Sequence, residues 1–506
     1  LESAIAPTAV GAIALSNTGN SFQTATLETA DGYAAALYDA SNLVIASATV
    51  GGDLTLSGGG SIGQTGAIDA HSLNVTTTGG DIALTNTGNA FDTLNATTAG
   101  THDASFHDSS DLIISGASIG GTLTVTSGGT IGQSGAIHAD ALNVSTTAGG
   151  ITLNDDGNVF NTLTASTGGS DDASFHDSVA LAIAGADVGG ILTVTSDGDI
   201  SQTGAIHADT LVASTTNGDI DLTDEGNAFA DATLSATGDA SLHDASALNI
   251  AGATAGGTLT LSGDAGITQT GAIHADTLNV STAAGDIVLT NTGNVFNAAS
   301  VATSGSDDAS LYDTASLTIA SANVGGALAL TSEGAIGQTG AIHAASLNAT
   351  ATGGDIALSN TGNAFATAAL STSGSDDATL YDASALTIAS ANVGGTLTLS
   401  GGSSIGQSGA IHAAALNVGT THGAIALTNA GNSFATATVS TAGSDDASLT
   451  DASALTVASA NVGGTLTLSG GGAIGQTGAI HAHALDVSTT SGAITLAESG
   501  NNFATA

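Results

Sequence analysis

The sequence predicts an all-β fold, a right-handed parallel β-helix (β-solenoid) with about three coils per 69-residue repeat. Three observations predict it: a strict internal period, apolar residues alternating with small polar ones, and turn residues between the short apolar runs. Two markers fix the period. The Gln of an IGQ[TS]G phrase, or a variant of it, recurs at Gln64, Gln133, Gln202, Gln269, Gln338, Gln407 and Gln476. The Phe of a GN-x-F phrase recurs at Phe22, Phe91, Phe160, Phe229, Phe296, Phe365, Phe434 and Phe503. Both advance in steps of 69 with a single step of 67. In the short step TGDASLHD (Thr237 to Asp244) replaces GGSDDASFHD (Gly168 to Asp177). Stacked repeats absorb a loss of this kind at a turn while keeping register on both sides.

Each element then has a local reason. Thr396-Leu397-Thr398-Leu399 places both leucines on one face, as do Leu416-Asn417-Val418, Ile425-Ala426-Leu427 and Leu386-Thr387-Ile388 for their apolar residues. A period of two over so few residues is the mark of a short, half-buried strand. Gly-Gly, Gly-Asn, Ser-Gly and Asp-Asp separate the strands, residues that accept φ > 0 or close an Asx turn. No i, i+3, i+4 stripe long enough for a helix occurs. The repeat divides into three similar lines, each a third of the repeat on average, beginning near Leu397, Leu416 and Val439. Hairpins would call for two-residue Asn-Gly or Asp-Gly loops, which are scarce, so the lines stack in parallel with right-handed crossovers. At about 4.8 Å per coil, some 22 coils give a rod roughly 105 Å long.

We count one domain over 1–506, with a narrow core of Leu, Ile, Val, Ala and one regular Phe per repeat. Register kept over seven repeats, positive mean hydropathy and a single proline, Pro7, argue against disorder. The chain starts and stops inside a repeat without an evident cap. It is therefore expected to be an excerpt of a longer protein or a unit stacking end to end.

Charge bounds the partners. There are 44 Asp and Glu and no Lys or Arg, a formal net charge of −44. Nucleic acid is excluded as a partner for want of cations to meet phosphates. Anionic lipids and heparin-like glycans are disfavoured for the same reason. Trypsin-like proteases have no cleavage site. No run approaches a membrane span, and the absence of Cys leaves the redox compartment open.

Four recurrent residue types are candidates for chemistry. The Asn of GN-x-F (Asn20, Asn89, Asn158, Asn227, Asn294, Asn363, Asn432, Asn501) reads as a corner residue, in αL or hydrogen-bonding its turn, with the Phe docking into the core. The Gln of IGQ[TS]G reads as a structural amide satisfied by turn backbone. An Asp recurs at 39, 108, 177, 244, 313, 382 and 451, and a second lies five residues earlier in six repeats, at 103, 172, 239, 308, 377 and 446. Ca²⁺ needs about six to eight oxygens. With equivalents every third coil, roughly 14 Å apart, a site would have to form within one repeat, from a pair such as Asp307 and Asp308. We expect solvated acidic turns instead, with Ca²⁺ at such a turn the minor alternative. His follows GAI at 138, 207, 274, 343, 412 and 481. His107, His176 and His243 alternate with Tyr312, Tyr381 and Thr450, which suits an outward position better than a metal ligand. Sequons such as Asn74-Val75-Thr76, Asn143-Val144-Ser145 and Asn279-Val280-Ser281 set Asn outward on a strand. No catalytic, cofactor-binding or metal site is expected, and an array of identical turns offers no single pocket for an enzyme.

The phrases GGTLTLSGGGAIGQTGAI (Gly463 to Ile480), DIALTNTGNAF (Asp81 to Phe91) and DASALTIASANVGGTLTL (Asp382 to Leu399) resemble the β-strand repeats of filamentous-haemagglutinin-type bacterial exoproteins exported by two-partner secretion. The resemblance covers essentially the whole chain. It implies a β-helical shaft, an extracellular or bacterial cell-surface location, and a role in adhesion, aggregation or biofilm. The expected function is a rigid, protease-resistant surface filament or sheath whose partners are copies of itself, end to end or side by side. The alternative is an adhesin binding glycans or neighbouring cells through its repeated face. Ice or mineral binding ranks below both.

Overall fold

A computed structural model of the chain describes residues 4–5 and 11–505. Pro7 lies outside the described residues. The described chain is built of short strands joined by turns, with no helix, and forms a parallel β-solenoid of about 25 turns. Contacts divide it into two compact units: residues up to 248 with 254–256, and 249–253 with 257 onward.

One repeat of the first unit shows how the sequence makes a coil. Its strands are Leu112–Ser118, Thr122–Ser127, Ile131–Gln133, Ile137–Thr146, Ile151–Leu153, Val159–Ser166 and Ala173–Asp177. Their alternation puts every second side chain inside. Stacking then follows from like packing on like. Leu43, Ile62, Ile82, Ala104, Leu123, Leu142, Leu163 and Ile183 pair in succession, each in parallel with the next. All eight are at most 1% exposed. The second unit repeats the column with Leu317, Ile336, Ile356, Ala378, Leu397, Leu416, Ala437 and Val457. Burying each Leu or Ile contributes about 1.5–3 kcal/mol, so a single column already outweighs any one polar contact in the coil.

The coils are slightly shorter than even thirds of the repeat. Leu54 pairs with Leu73 and Leu73 with Leu94, while Ile62 pairs with Ile82 and Ile82 with Ala104. Each repeat therefore completes three coils, as expected, and carries the chain partway round a fourth. The consequence is visible along one outward row of the first unit. His107, Thr126, Ser145, Ser166, Asp187, His207 and Ala228 pair in succession. His176, the counterpart of His107 one repeat on, falls midway between Ser166 and Asp187. The second unit does the same: Tyr312, Thr331, Thr350, Ser371, Asn392 and His412 form the row, and Tyr381 falls midway between Ser371 and Asn392. Within each unit, consecutive repeats thus present equivalent residues on opposite sides, about half a coil out of phase. Equivalent residues therefore recur about every three and a half coils, where every third coil was expected.

Glycine is required where the chain turns sharply or passes close to a neighbouring coil. Gly100, Gly169, Gly305, Gly374 and Gly443 turn with φ between 57° and 66°. Gly189 passes so close to the preceding coil that an added Cβ would collide with the Gly169 carbonyl oxygen.

Candidate functional site

The residues singled out by their recurrence converge at one corner of the coil. Gln133 ends the strand Ile131–Gln133, and Asn158 follows the turn after Ile151–Leu153, a coil further on. Their amides face each other and exchange two hydrogen bonds. Gln133 Nε2 donates to Asn158 Oδ1 at 2.9 Å, and Asn158 Nδ2 donates to Gln133 Oε1 at 3.0 Å. The same reciprocal pair joins Gln64 to Asn89, Gln202 to Asn227, Gln269 to Asn294, Gln338 to Asn363, Gln407 to Asn432 and Gln476 to Asn501. The remaining valences go to backbone. The Gln133 amide also donates to Gly135 O, Asn158 Oδ1 accepts from Ile137 N–H at 2.9 Å, and Asn158 Nδ2 reaches Leu153 O at 3.1 Å. Asn158 is fully buried, so each of these partners replaces a water it has lost.

The recurrent Asp completes the corner. Asp108 Oδ2 accepts from Phe91 N–H at 2.7 Å, and Oδ1 accepts from Ser110 N–H at 2.8 Å. Asp177, Asp244, Asp313, Asp382 and Asp451 hold the matching Phe N–H in the same way, and Asp39 does so for Phe22. The carboxylate therefore fixes the start of one strand to the end of another one coil away. The Phe that follows the Asn is the bulkiest core residue, with Phe160, Phe296 and Phe434 wholly buried. One expectation is corrected here. These Asp residues are not solvated turns: Asp39, Asp108, Asp177, Asp244, Asp313 and Asp382 are 0% exposed and Asp451 1%. Of the two readings of the Asn, hydrogen-bonding its turn is the one seen, through Asn158 Nδ2 and Leu153 O, and no non-glycine residue among those described has positive φ. The Gln amide is satisfied by turn backbone, as expected, and by the Asn amide as well. Burial pushes the carboxyls of Asp108, Asp177 and Asp313 above their ordinary value, and the backbone N–H bonds offset only part of that.

The second Asp is exposed and also holds backbone. Asp308 Oδ1 accepts from Ala327 N–H at 2.7 Å in the following coil, whereas Asp307 Oδ2 accepts from Gly285 N–H at 2.7 Å in the preceding one. The pair considered for Ca²⁺ is thus turned toward two different coils. Among the described residues no group of three or more His, Asp or Glu side chains is placed to share a metal ion. The GAI histidines lie on the surface, with His138, His207, His343 and His481 placing Nε2 about 3 Å from a Gly carbonyl one coil on. His107 and His176 point outward and are half-buried, meeting Thr126 and Thr195 Oγ1 at 2.8 and 2.9 Å. Asn74, Asn143 and Asn279 of the sequons are likewise half-exposed on strands.

The signal for the buried Asp lies in its parity. In Ala104-Ser105-Phe106-His107-Asp108 the Asp shares the face of Ala104 and Phe106. The Gln–Asn pair spans 25 residues, so only the coil length reveals it. Chemically the corner is a brace: neutral amides and inward carboxylates saturated by backbone, with no nucleophile set against a base.

Seven consecutive segments, 32–98, 101–167, 170–236, 237–303, 306–372, 375–441 and 444–506, match a family described as repeats of unknown function (DUF5649). No curated protein and no solved structure matches the chain.

Proposed function

The chain belongs to this family of tandem repeats, and from that premise we propose that it is a structural element: the rigid, protease-resistant shaft of an extracellular filament or sheath on a bacterial surface. One observation carries the reading. In every repeat the polar residues that recur most strictly, Gln, Asn and the buried Asp, are consumed in bracing coil to coil. What the sequence keeps constant is the integrity of the stack, and enzymatic chemistry has no matching set of free groups. Absence of Lys and Arg adds resistance to trypsin-like cleavage, useful outside a cell. The likeness of the repeat phrases to filamentous-haemagglutinin-type exoproteins supports the surface location and a part in attachment or biofilm. Copies of the chain, end to end or side by side, are the proposed partners.

Cryo-electron microscopy of the native material tests this. Regular contacts between copies at the repeat spacing are the expected result. Isolated molecules anchored at one end, each with a distinct globular tip that makes the contacts, would assign attachment to the tip and leave the filament reading without support.

A further inference from the structure

In a chain of net charge −44, one broad groove carries no carboxylate. It lies in the second unit, encloses about 440 Å³, and crosses four coils along the row Thr260, Asn279, Ser300 and Ser321. Val280 and Val301, each 3% exposed, form its floor. No Asp or Glu lines it. A bulge at Ala320, where the pairing passes from Ala299–Ile319 to Ser300–Ser321, bends the strand beside it. The bulge recurs in the other repeats, and the small side chains along this row leave the bend open here. The same construction recurs two repeats on. There Thr398, Asn417 and Thr438 line a groove of about 180 Å³, again without a carboxylate, and the pairing slips between Ala437 and Thr438. Two repeats are seven coils, so the grooves face the same side about 34 Å apart.

We propose that these grooves bind an extended, uncharged polysaccharide chain. Hydroxyl and amide side chains each donate and accept, as sugar hydroxyls do, and the Val floor suits the C–H face of a sugar ring. Anionic polymers are repelled by the surrounding carboxylates, and no Lys or Arg is present to bind them. A second copy of the chain is a poorer occupant, because concave face on concave face leaves a void, while its convex corners carry the exposed Asp residues. Recurrence of the groove lets one long polymer engage two sites, which raises avidity without new contacts.

The test uses the full chain and three neutral probes, cellohexaose, maltohexaose and mannohexaose, with hyaluronan as the anionic comparator. Calorimetric titration is run at low and high salt on the wild type and on Ser300→Asp/Thr438→Asp, both half-exposed positions. The variant Ser300→Val/Thr438→Val removes the hydroxyls without adding charge, and circular dichroism checks both folds. We expect at least one neutral hexasaccharide to bind at millimolar concentration or below, with an affinity that changes less than about twofold with salt. Either double variant should weaken it about tenfold or more, or lower the number of sites. Three results would overturn the proposal: no binding of any neutral probe, binding of hyaluronan alone, or binding indifferent to both double variants. Concentration-dependent dimers abolished by the variants, with no sugar bound, would give the grooves to a second copy and overturn it equally.

Discussion

Replacing Asn158 by Ala isolates the brace. The side chain is fully buried and accepts from Ile137 N–H at 2.9 Å and from Gln133 Nε2 at 2.9 Å, while donating to Gln133 Oε1 and Leu153 O. Truncation strands the Ile137 N–H inside the corner, which costs about 1–3 kcal/mol, and each other lost hydrogen bond costs about 1 kcal/mol. Gln133 keeps Gly135 O and moves toward water, so part of its share is recovered. About 3 kcal/mol is the expected net loss, equivalent to roughly a hundredfold in a local opening equilibrium. A solenoid opens coil by coil, so the assay is hydrogen exchange followed by mass spectrometry on peptides covering 131–166. Asn20 is the internal control: half-buried, its amide donates to Leu15 O at 2.8 Å, and it precedes the first Gln of the series. Asn20→Ala should accelerate exchange around residues 13–24 by less than about tenfold, in keeping with one partly exposed hydrogen bond. If Asn158→Ala gave the same small acceleration as Asn20→Ala, the brace would not be holding the coils and the reasoning would fail.

Three further outcomes are expected. Gly189→Ala should destabilise its coil severely, because the new Cβ would run into the Gly169 carbonyl oxygen, whereas Gly132→Ala has nothing within 4 Å and should leave thermal unfolding unchanged. Burial raises the folded-state pKa of Asp108, Asp177 and Asp313 above the unfolded value near 3.8. The folded chain then holds more protons between the two values, so their contribution to stability rises as pH falls from neutral through the folded pKa and is least favourable above it. Differential scanning calorimetry of wild type against Asp108→Asn/Asp177→Asn/Asp313→Asn should show a smaller acid-side gain in the variant, and equal gains would refute the assignment. Lateral association, read by light scattering, should strengthen with millimolar Ca²⁺ or on acidification, because a −44 chain repels its neighbours until screened or protonated; flat traces in both titrations would refute it.

The strands and their parallel stacking were legible because they are local and repeated. Thr396-Leu397-Thr398-Leu399 shows its alternation within four residues, and the structure makes it a strand from Thr396 to Gly401. The coil length was less legible. The repeat divides evenly into thirds, but the chain closes each coil a little sooner, by an amount that differs from corner to corner. The inward turn of the recurrent Asp follows from that quantity. With coils an even third of a repeat long, the recurrent Asp has no partner that would draw it inside. With the true spacing, Asp108 comes within 2.7 Å of the Phe91 N–H, and its shared parity with Phe106 becomes decisive. The groove in the second unit was hidden for a different reason: the bulge at Ala320 recurs in the other repeats as well, so the period alone does not single this stretch out.

The half-coil phase between consecutive repeats gives the copy number a parity. Loss or gain of one repeat by exchange between tandem copies would turn every downstream side chain in that stack to the opposite flank, though the core columns would close without a flaw. Removal or addition of two would restore the original display. A lineage of such chains could therefore vary its length freely as far as folding is concerned, yet only even changes would preserve which flank faces a given neighbour.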